Sequence, residues 1–284
     1  MRKLFVNACF LDQILLTNAF SEKKWHVHSK YKNSFNIQDE GKEQLVVIST
    51  TDYPFMPNGI YIESVYFSTL LSTVEIGDSV RWQEDCLHFS KNHLLLNYGE
   101  LYSSTMEITE TLKSSNLQHF NDYAASLDKE TGAQVSLADF LIEENPFAKA
   151  LQLLCLEDES KKQSAVAFLL GRGKGLTPSG DDMLVGHLAA RILLNEKDRI
   201  LEKRILTELS KEPAVTTDIS KHYLLCALSC RFSAPVIEFI ENLTTMSSIE
   251  QLQKAVDNII KVGHTSGLDL LAGFMATIEF LNNN

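Results

Sequence analysis

The chain is predicted to be α+β, with a β-rich N-terminal part (a small sheet or barrel) followed by a mainly helical C-terminal part. Three observations predict this. Short alternating apolar runs separated by turn signals fill the first 105 residues. The apolar period lengthens to a helical one from about residue 106. Helix-start signals then recur to the end of the chain. The expected division is a β-rich domain at 1–105 and a helical domain at 106–284, with the junction between residues 100 and 135.

Trp25-His26-Val27-His28-Ser29 alternates as a half-buried strand does. Phe35-Asn36-Ile37 is placed to pair with Leu45-Val46-Val47-Ile48 across a turn at Asp39-Glu40-Gly41-Lys42. Pro57-Asn58-Gly59 is a turn signal that leads into Ile60-Tyr61-Ile62. Val74 to Trp82 reads as strand, tight turn, strand, and Leu87-His88-Phe89 and Leu94-Leu95-Leu96 continue the meander. Beyond it, Glu107 to Asp128 is polar and amphipathic. Ser136 is a candidate cap for a helix holding Leu137, Phe140, Leu141 and Ile142, and Pro146 opens another through Phe147, Leu151, Leu154 and Cys155.

Composition bounds the function. The net charge of −11 argues against a broad nucleic-acid-binding surface, which needs a basic field, but leaves room for a small basic pocket for an anionic metabolite. Met1-Arg2-Lys3 precedes an apolar stretch broken by Asn7, Asp12, Gln13 and Asn18, which does not read as a signal peptide. No apolar run reaches the ~18 residues of a membrane span. The five cysteines are odd in number and form no CxxC, so a reducing, cytoplasmic setting is expected. Cys226 and Cys230, four apart on an expected helix, are placed to share one face.

The most unusual stretch is Gly171-Arg172-Gly173-Lys174-Gly175-Leu176-Thr177-Pro178-Ser179-Gly180-Asp181-Asp182. An apolar run precedes it, and Met183 to Ala190, apolar nearly all round, follows as an expected buried helix. A second copy lies 87 residues on. Ser179-Gly180-Asp181-Asp182-Met183-Leu184-Val185-Gly186 aligns without gaps on Ser266-Gly267-Leu268-Asp269-Leu270-Leu271-Ala272-Gly273, with five of eight positions identical. Thr177 and Thr265 precede the two copies.

A helix N-terminus offers unpaired N–H groups and partial positive charge, and a first-turn glycine allows close approach. Arg172 and Lys174 add cationic side chains, so Arg172, Gly173, Lys174, Gly175, Thr177, Ser179, Gly180, Asp181, Thr265, Ser266 and Gly267 are the candidate binders of a small anionic metabolite. Asp182 and Asp269 are candidate catalytic residues, placed to orient an amide, to hold Mg²⁺, or to complement the helix dipoles; His264 is a third. Gly186 and Gly273 permit the two helices to cross and bring both turns to one pocket; a Gly180–Gly267 separation beyond about two helix diameters, ~20–24 Å, excludes this. The plainer reading is a well-capped helix start with Thr177 as cap and Pro178 at the first position. The glycine-rich loop and the second copy favour the functional one.

Other motifs are weaker. No Gly-Lys-Ser/Thr, GxGxxG or GxSxG pattern occurs. His26 and His28 share a strand face but lack a matching ligand set, and no residue is assigned to a metal from the sequence. Thr216-Thr217-Asp218-Ile219-Ser220 reads as an N-cap whose polar groups can line the same pocket.

Gly175-Leu176-Thr177-Pro178-Ser179-Gly180-Asp181-Asp182, with Gly263-His264-Thr265-Ser266-Gly267-Leu268-Asp269-Leu270-Leu271-Ala272-Gly273, resembles the AllH-like family. His28-Ser29 and Pro57-Asn58-Gly59-Ile60 are similar to its N-terminal features. The resemblance implies a subunit of an oxamate carbamoyltransferase. Such an enzyme moves a carbamoyl group between a small amide such as oxamate, as oxalurate, and phosphate, in purine-nitrogen (allantoin) catabolism, together with other subunits. It carries over no catalytic residues, and the Ser-Thr-Arg-Thr motif of other transcarbamylases is absent. Two further readings stay open: a Mg²⁺-dependent phosphotransfer or ATP-using enzyme, and a non-catalytic assembly subunit whose turns only pack helices.

Overall fold

The computed structural model describes residues 4–21, 23–142 and 144–282. The Met1-Arg2-Lys3 start lies outside them. Contacts divide the chain into one unit of residues 1–105 with 232–234, and a second of 106–231 with 235–284.

The first unit is a ten-stranded sheet. Its strands are β1 (Leu4–Asn7), β2 (Phe10–Asp12), β3 (Lys24–Lys30), β4 (Ser34–Asp39), β5 (Leu45–Thr50), β6 (Gly59–Ile62), β7 (Ser79–Gln83), β8 (Cys86–His88), β9 (Asn92–Leu95) and β10 (Glu100–Tyr102). The spatial order is β1-β9-β8-β7-β3-β4-β5-β6-β2-β10. β1 and β2 stand near opposite ends of that order, yet two residues join them, so the sheet must curl back on itself as a half-barrel. The junction residues complete the curl. Ala8 N–H donates to Leu95 C=O, and Cys9 N–H to Tyr61 C=O. Trp25, Val27, Phe35, Ile37, Val80, Trp82, Leu87 and Leu94 face the core with Phe20 and with Phe67 and Leu70 of a helix at Ser64–Leu71.

The expected β4–β5 pairing is present, with Ile37 opposite Val46. Asp39 fixes the turn between them by accepting the Glu43 and Gln44 N–H groups at 2.8 and 2.7 Å. Pro57-Asn58-Gly59 is a turn, as read. Asn58 takes φ +56°, donates its N–H to Asp12, and is followed by a glycine whose Cβ would fall 2.4 Å from the Tyr102 hydroxyl. One hairpin reading is corrected. Val74–Ile76 is not a strand, because Asp78 closes a tight turn on Glu75 and both Gly77 and Asp78 bond to Val27 of β3.

The second unit is helical. With α1 (Asn18–Ser21) and α2 (Ser64–Leu71) in the first unit, its helices are α3 (Ser114–Ala125), α4 (Pro146–Leu154), α5 (Glu159–Leu169), α6 (Ser179–Leu193), α7 (Arg199–Leu209), α8 (Asp218–Leu228), α9 (Ala234–Thr244), α10 (Ile249–Ile260) and α11 (Ser266–Asn282). Side chains start most of them: Asn145 before Pro146, Asp158, Asp198, Thr217, and Ser248 in a capping box with Gln251. Helix α6 is buried over most of its surface, as its composition required. Two segments depart from the reading. The amphipathic stretch is helical only over Ser114–Ala125. Leu137–Ile142 forms turns rather than a helix, although Ser136 makes the expected cap bond, accepting Asp139 N–H at 3.1 Å and donating to Asp139 Oδ2 at 2.7 Å. Among the described residues no helix is long and apolar enough to cross a membrane.

Candidate functional site

Helices α6 and α11 are packed against each other through glycines. A Cβ on Gly186 would lie 1.9 Å from Leu270 C=O, and one on Gly273 would lie 2.0 Å from Met183 C=O. Both residue pairs are related by the 87-residue offset, so the contact is reciprocal. The backbones can meet this closely only without side chains. The crossing is locked further along by a buried bond between His187 Nδ1 and Thr277 Oγ1, 2.7 Å. The Thr277 hydroxyl proton is spent on Gly273 C=O, so His187 is the donor and its Nδ1 carries the hydrogen. Burial, first, and then Arg191 push the imidazole down to about 3, so it is neutral.

This crossing brings the two helix starts together. The Thr177 and Ser266 hydroxyls are 2.8 Å apart. The hydroxyls of Ser266 and Thr177 lower the Asp182 carboxyl, and those of Thr265 and Ser179 lower Asp269. Each aspartate thus receives the serine of the opposite turn and a threonine of its own loop. The one-sided addition is Gly132, whose N–H donates to Asp269 Oδ1 at 2.8 Å. Gly132 sits in a tight loop held by Thr131 N–H to Val135 C=O, and a Cβ on it would collide with Ser179 Oγ.

The carboxylates are not equivalent. Asp181 is buried and satisfied: it accepts from Gly171 N–H, from Ser220 Oγ at 2.7 Å and from Thr216 Oγ1. It ties the glycine loop to the start of α8. Asp182 and Asp269 each keep one oxygen, Oδ2, enclosed without a hydrogen-bond partner. Burial holds all three carboxyls above the usual range, Asp182 furthest. Its neighbour Asp269 adds like-charge repulsion there, against the lowering by Ser266 and Thr177. Among the described residues, no lysine or arginine is ion-paired to any of the three. The arrangement is therefore a hydroxyl-lined acidic pair, near enough for Asp269 to raise Asp182, in which each carboxyl keeps an enclosed oxygen able to take a hydrogen bond or a cation.

Both halves of the chain match a known family. The family described as oxamate carbamoyltransferase subunit AllH matches residues 169–278, and the AllH family N-terminal domain matches residues 7–101. The chain belongs to the AllH family. No solved structure is significantly similar to it. The C-terminal AllH match contains Asp181, Asp182, Asp269 and every other site residue named above except Gly132, Thr131 and Val135.

The remaining predicted residues of this AllH chain are placed as follows. Pro178 occupies the cap position of α6, not its first turn, and Thr177 does not cap but turns to Ser266. The α6 N-terminus is instead closed by its own loop: Gly180 N–H donates to Arg172 C=O, and the Asp181 and Asp182 N–H groups to Pro178 C=O. Gly173 and Gly175 have φ of +132° and +93°, which the loop needs to fold over Ser179. Gly180 and Gly267 leave no room for a Cβ against Leu169 C=O and Ile259 C=O. The Arg172 guanidinium stacks 3.9 Å above the Phe168 ring and bonds Phe168 C=O. Lys174 and His264 are exposed. Thr216 and Ser220 do join the site, through Asp181. Cys226 and Cys230 do not share a helix face, because α8 ends at Leu228 and Cys230 takes φ +56°. Gly132 was missed by sequence reasoning; its signal was the Thr131-Gly132-Ala133-Gln134 turn.

Proposed function

We propose that this chain contributes the Asp182–Asp269 pair to carbamoyl transfer between oxalurate and phosphate, as a subunit working with others of the same enzyme. The observation that carries the reading is the pair itself: two carboxyls, each with an unpartnered oxygen and each lowered by the opposite turn's serine, inside the segment matched by the AllH family.

The chemistry needs a proton at one atom. When a phosphate oxygen attacks the carbamoyl carbon of oxalurate, the carbon–nitrogen bond breaks. The departing nitrogen then takes a proton to leave as the oxamate amide, and phosphate loses one. A carboxyl that burial and repulsion make harder to ionise can supply that proton, and its partner can orient the amide N–H. In the reverse direction the same group accepts it. The hydroxyls of Thr177, Ser179 and Ser266 provide neutral hydrogen bonds to the small polar substrate. The α6 N–H groups at positions 180 to 182 are already engaged, as is that of Asp269 in α11, so anion recognition falls chiefly to Lys174.

The test is a carbamoyl-transfer assay on the chain alone and with co-purified subunits. Asp182→Asn is expected to lower kcat by about 10²-fold or more with unchanged circular dichroism. Full activity in that variant would overturn the proposal.

The unpartnered oxygens also favour a second reading, in which the pair holds Mg²⁺ for phosphotransfer. Transfer that stops with a chelator and returns with Mg²⁺, together with metal-dependent nucleotide binding, supports that reading over proton transfer.

A further inference from the structure

The β8–β9 hairpin carries a second cluster that neither the repeat nor the acidic pair uses. Cys86 and His88 are two apart on β8 and therefore share a face. His88 is directly opposite His93 on β9, and the two rings lie 4.6 Å apart, edge to face. Leu87 and Leu94, the alternating neighbours, are completely buried in the core, so the Cys-His-His set is on the other face. There Cys86 and His88 are half-buried and His93 is buried, with the Phe5 ring of β1 against it at 4.8 Å. One donor atom from each of the three residues lies within 4.8 Å of the others. Among the described residues it is the one group of three or more histidine, cysteine or carboxylate side chains gathered closely enough to hold a metal.

We propose that Cys86, His88 and His93 bind one Zn²⁺ ion through a thiolate and two imidazoles, leaving the fourth position open. One sulfur and two nitrogens are a zinc donor set, with Zn–S ~2.3 Å and Zn–N ~2.0–2.1 Å. Tetrahedral angles at those lengths put the donors about 3.3–3.6 Å apart, so side-chain rotation of about an ångström closes the site without moving the strands. The register supplies what a flexible loop would not: three donors on paired strands, already on one face. Binding converts the Cys86 thiol to a thiolate and releases its proton to solvent. Because the bound form has lost that proton, affinity rises with pH.

The test uses the purified full-length chain, stripped with a chelator and titrated with Co²⁺, then Zn²⁺. The expected result is one equivalent of Co²⁺, with a sulfur-to-cobalt charge-transfer band and tetrahedral visible bands, all displaced by Zn²⁺. Cys86→Ser should abolish the charge-transfer band. His88→Ala should weaken binding by at least about 100-fold, since losing even an outer partner of a ligand costs about 10–100-fold. No band at millimolar Co²⁺ overturns the proposal, as does a band that survives Cys86→Ser or that vanishes in Cys226→Ser. Should Cys86→Ser fail to fold, the His88→Ala titration decides alone: unchanged affinity there overturns the site.

Discussion

The two helix starts at Ser179 and Ser266 share a plan and differ in what surrounds it. Both place a glycine against the preceding helix, cross-bond an aspartate to the other turn's serine, and bring a glycine at +6 against the partner backbone. The first carries a longer glycine loop and a second aspartate, Asp181, which the second replaces with buried Leu268. The second receives the Gly132 N–H, which the first has no counterpart for. What the two have in common assembles the acidic pair. What they do not share makes the pair unequal, with Asp182 more strongly raised and Asp269 steadied by a backbone donor. The symmetric part is architecture, and the asymmetric part is where chemistry separates the two aspartates.

The symmetry is most severely tested at the crossing. Gly186→Ala and Gly273→Ala each drive a Cβ into a backbone carbonyl that cannot rotate away. Each should destabilise by more than the ~1–3 kcal/mol of ordinary overpacking, and by similar amounts, in chemical denaturation of the full chain. A large cost at one position and none at the other would break the reciprocal contact.

The asymmetry is tested next by pH. A carboxyl raised above its ordinary 3.8 binds its proton more tightly folded than unfolded. Its contribution is fully present below that value and is lost as pH rises through the folded pKa. Asp182→Asn should therefore melt higher than the parent at pH 8 and equally at pH 4, while losing transfer activity. Each kcal/mol gained corresponds to about 2–4 °C for a unit of this size. Asp269→Asn should show a smaller gain, because Gly132 already stabilises its charge. Equal melting of Asp182→Asn and the parent at both pH values would show that Asp182 is not strained by ionisation. Stabilisation with inactivation is the signature of a residue kept for function at a cost in stability.

Much of this was legible in the sequence, for a physical reason. The repeat was visible because close backbone contact permits only glycine, and N-terminal turns favour serine and aspartate. The β4–β5 pairing was visible in alternation and turn chemistry. Three things were not. Thr177 reads locally as a cap, and only the tertiary partner Ser266 draws it away. Gly132 lies more than forty residues from either turn, so nothing local marks its N–H as a donor to Asp269. Cys86, His88 and His93 span a C-x-H-x₄-H spacing that becomes a cluster only once β8 and β9 pair with His88 opposite His93. Strand register, not composition, brings them together.

A smaller effect probes the lock behind the pair. Thr277→Val removes the acceptor of His187 Nδ1–H while keeping the shape. A buried donor left unpaired should cost about 1–3 kcal/mol, read as a lower denaturation midpoint, with little change in kcat if the Asp pair stays aligned. A fall in kcat larger than the fall in stability would show that the crossing angle tunes the pair.

The smallest effects belong to the loop that only the first start possesses. Arg172 is already engaged, its guanidinium on Phe168 and its Nε on that residue's carbonyl. Arg172→Ala should cost under about 1 kcal/mol of stability and leave KM for phosphate within about twofold. Lys174 stands exposed between glycines with φ of +132° and +93°, on backbone that no other residue type would hold comfortably. An ammonium a few ångströms from an anion in a solvated site is worth about 1 kcal/mol. Lys174→Ala should then raise KM for phosphate about fivefold with kcat unchanged, as expected when an interaction is equal in ground and transition states. If Arg172→Ala gives the larger KM effect, the guanidinium must leave the Phe168 ring when substrate arrives. The loop would then be a moving part, and the first helix start would differ from the second in dynamics as well as in charge.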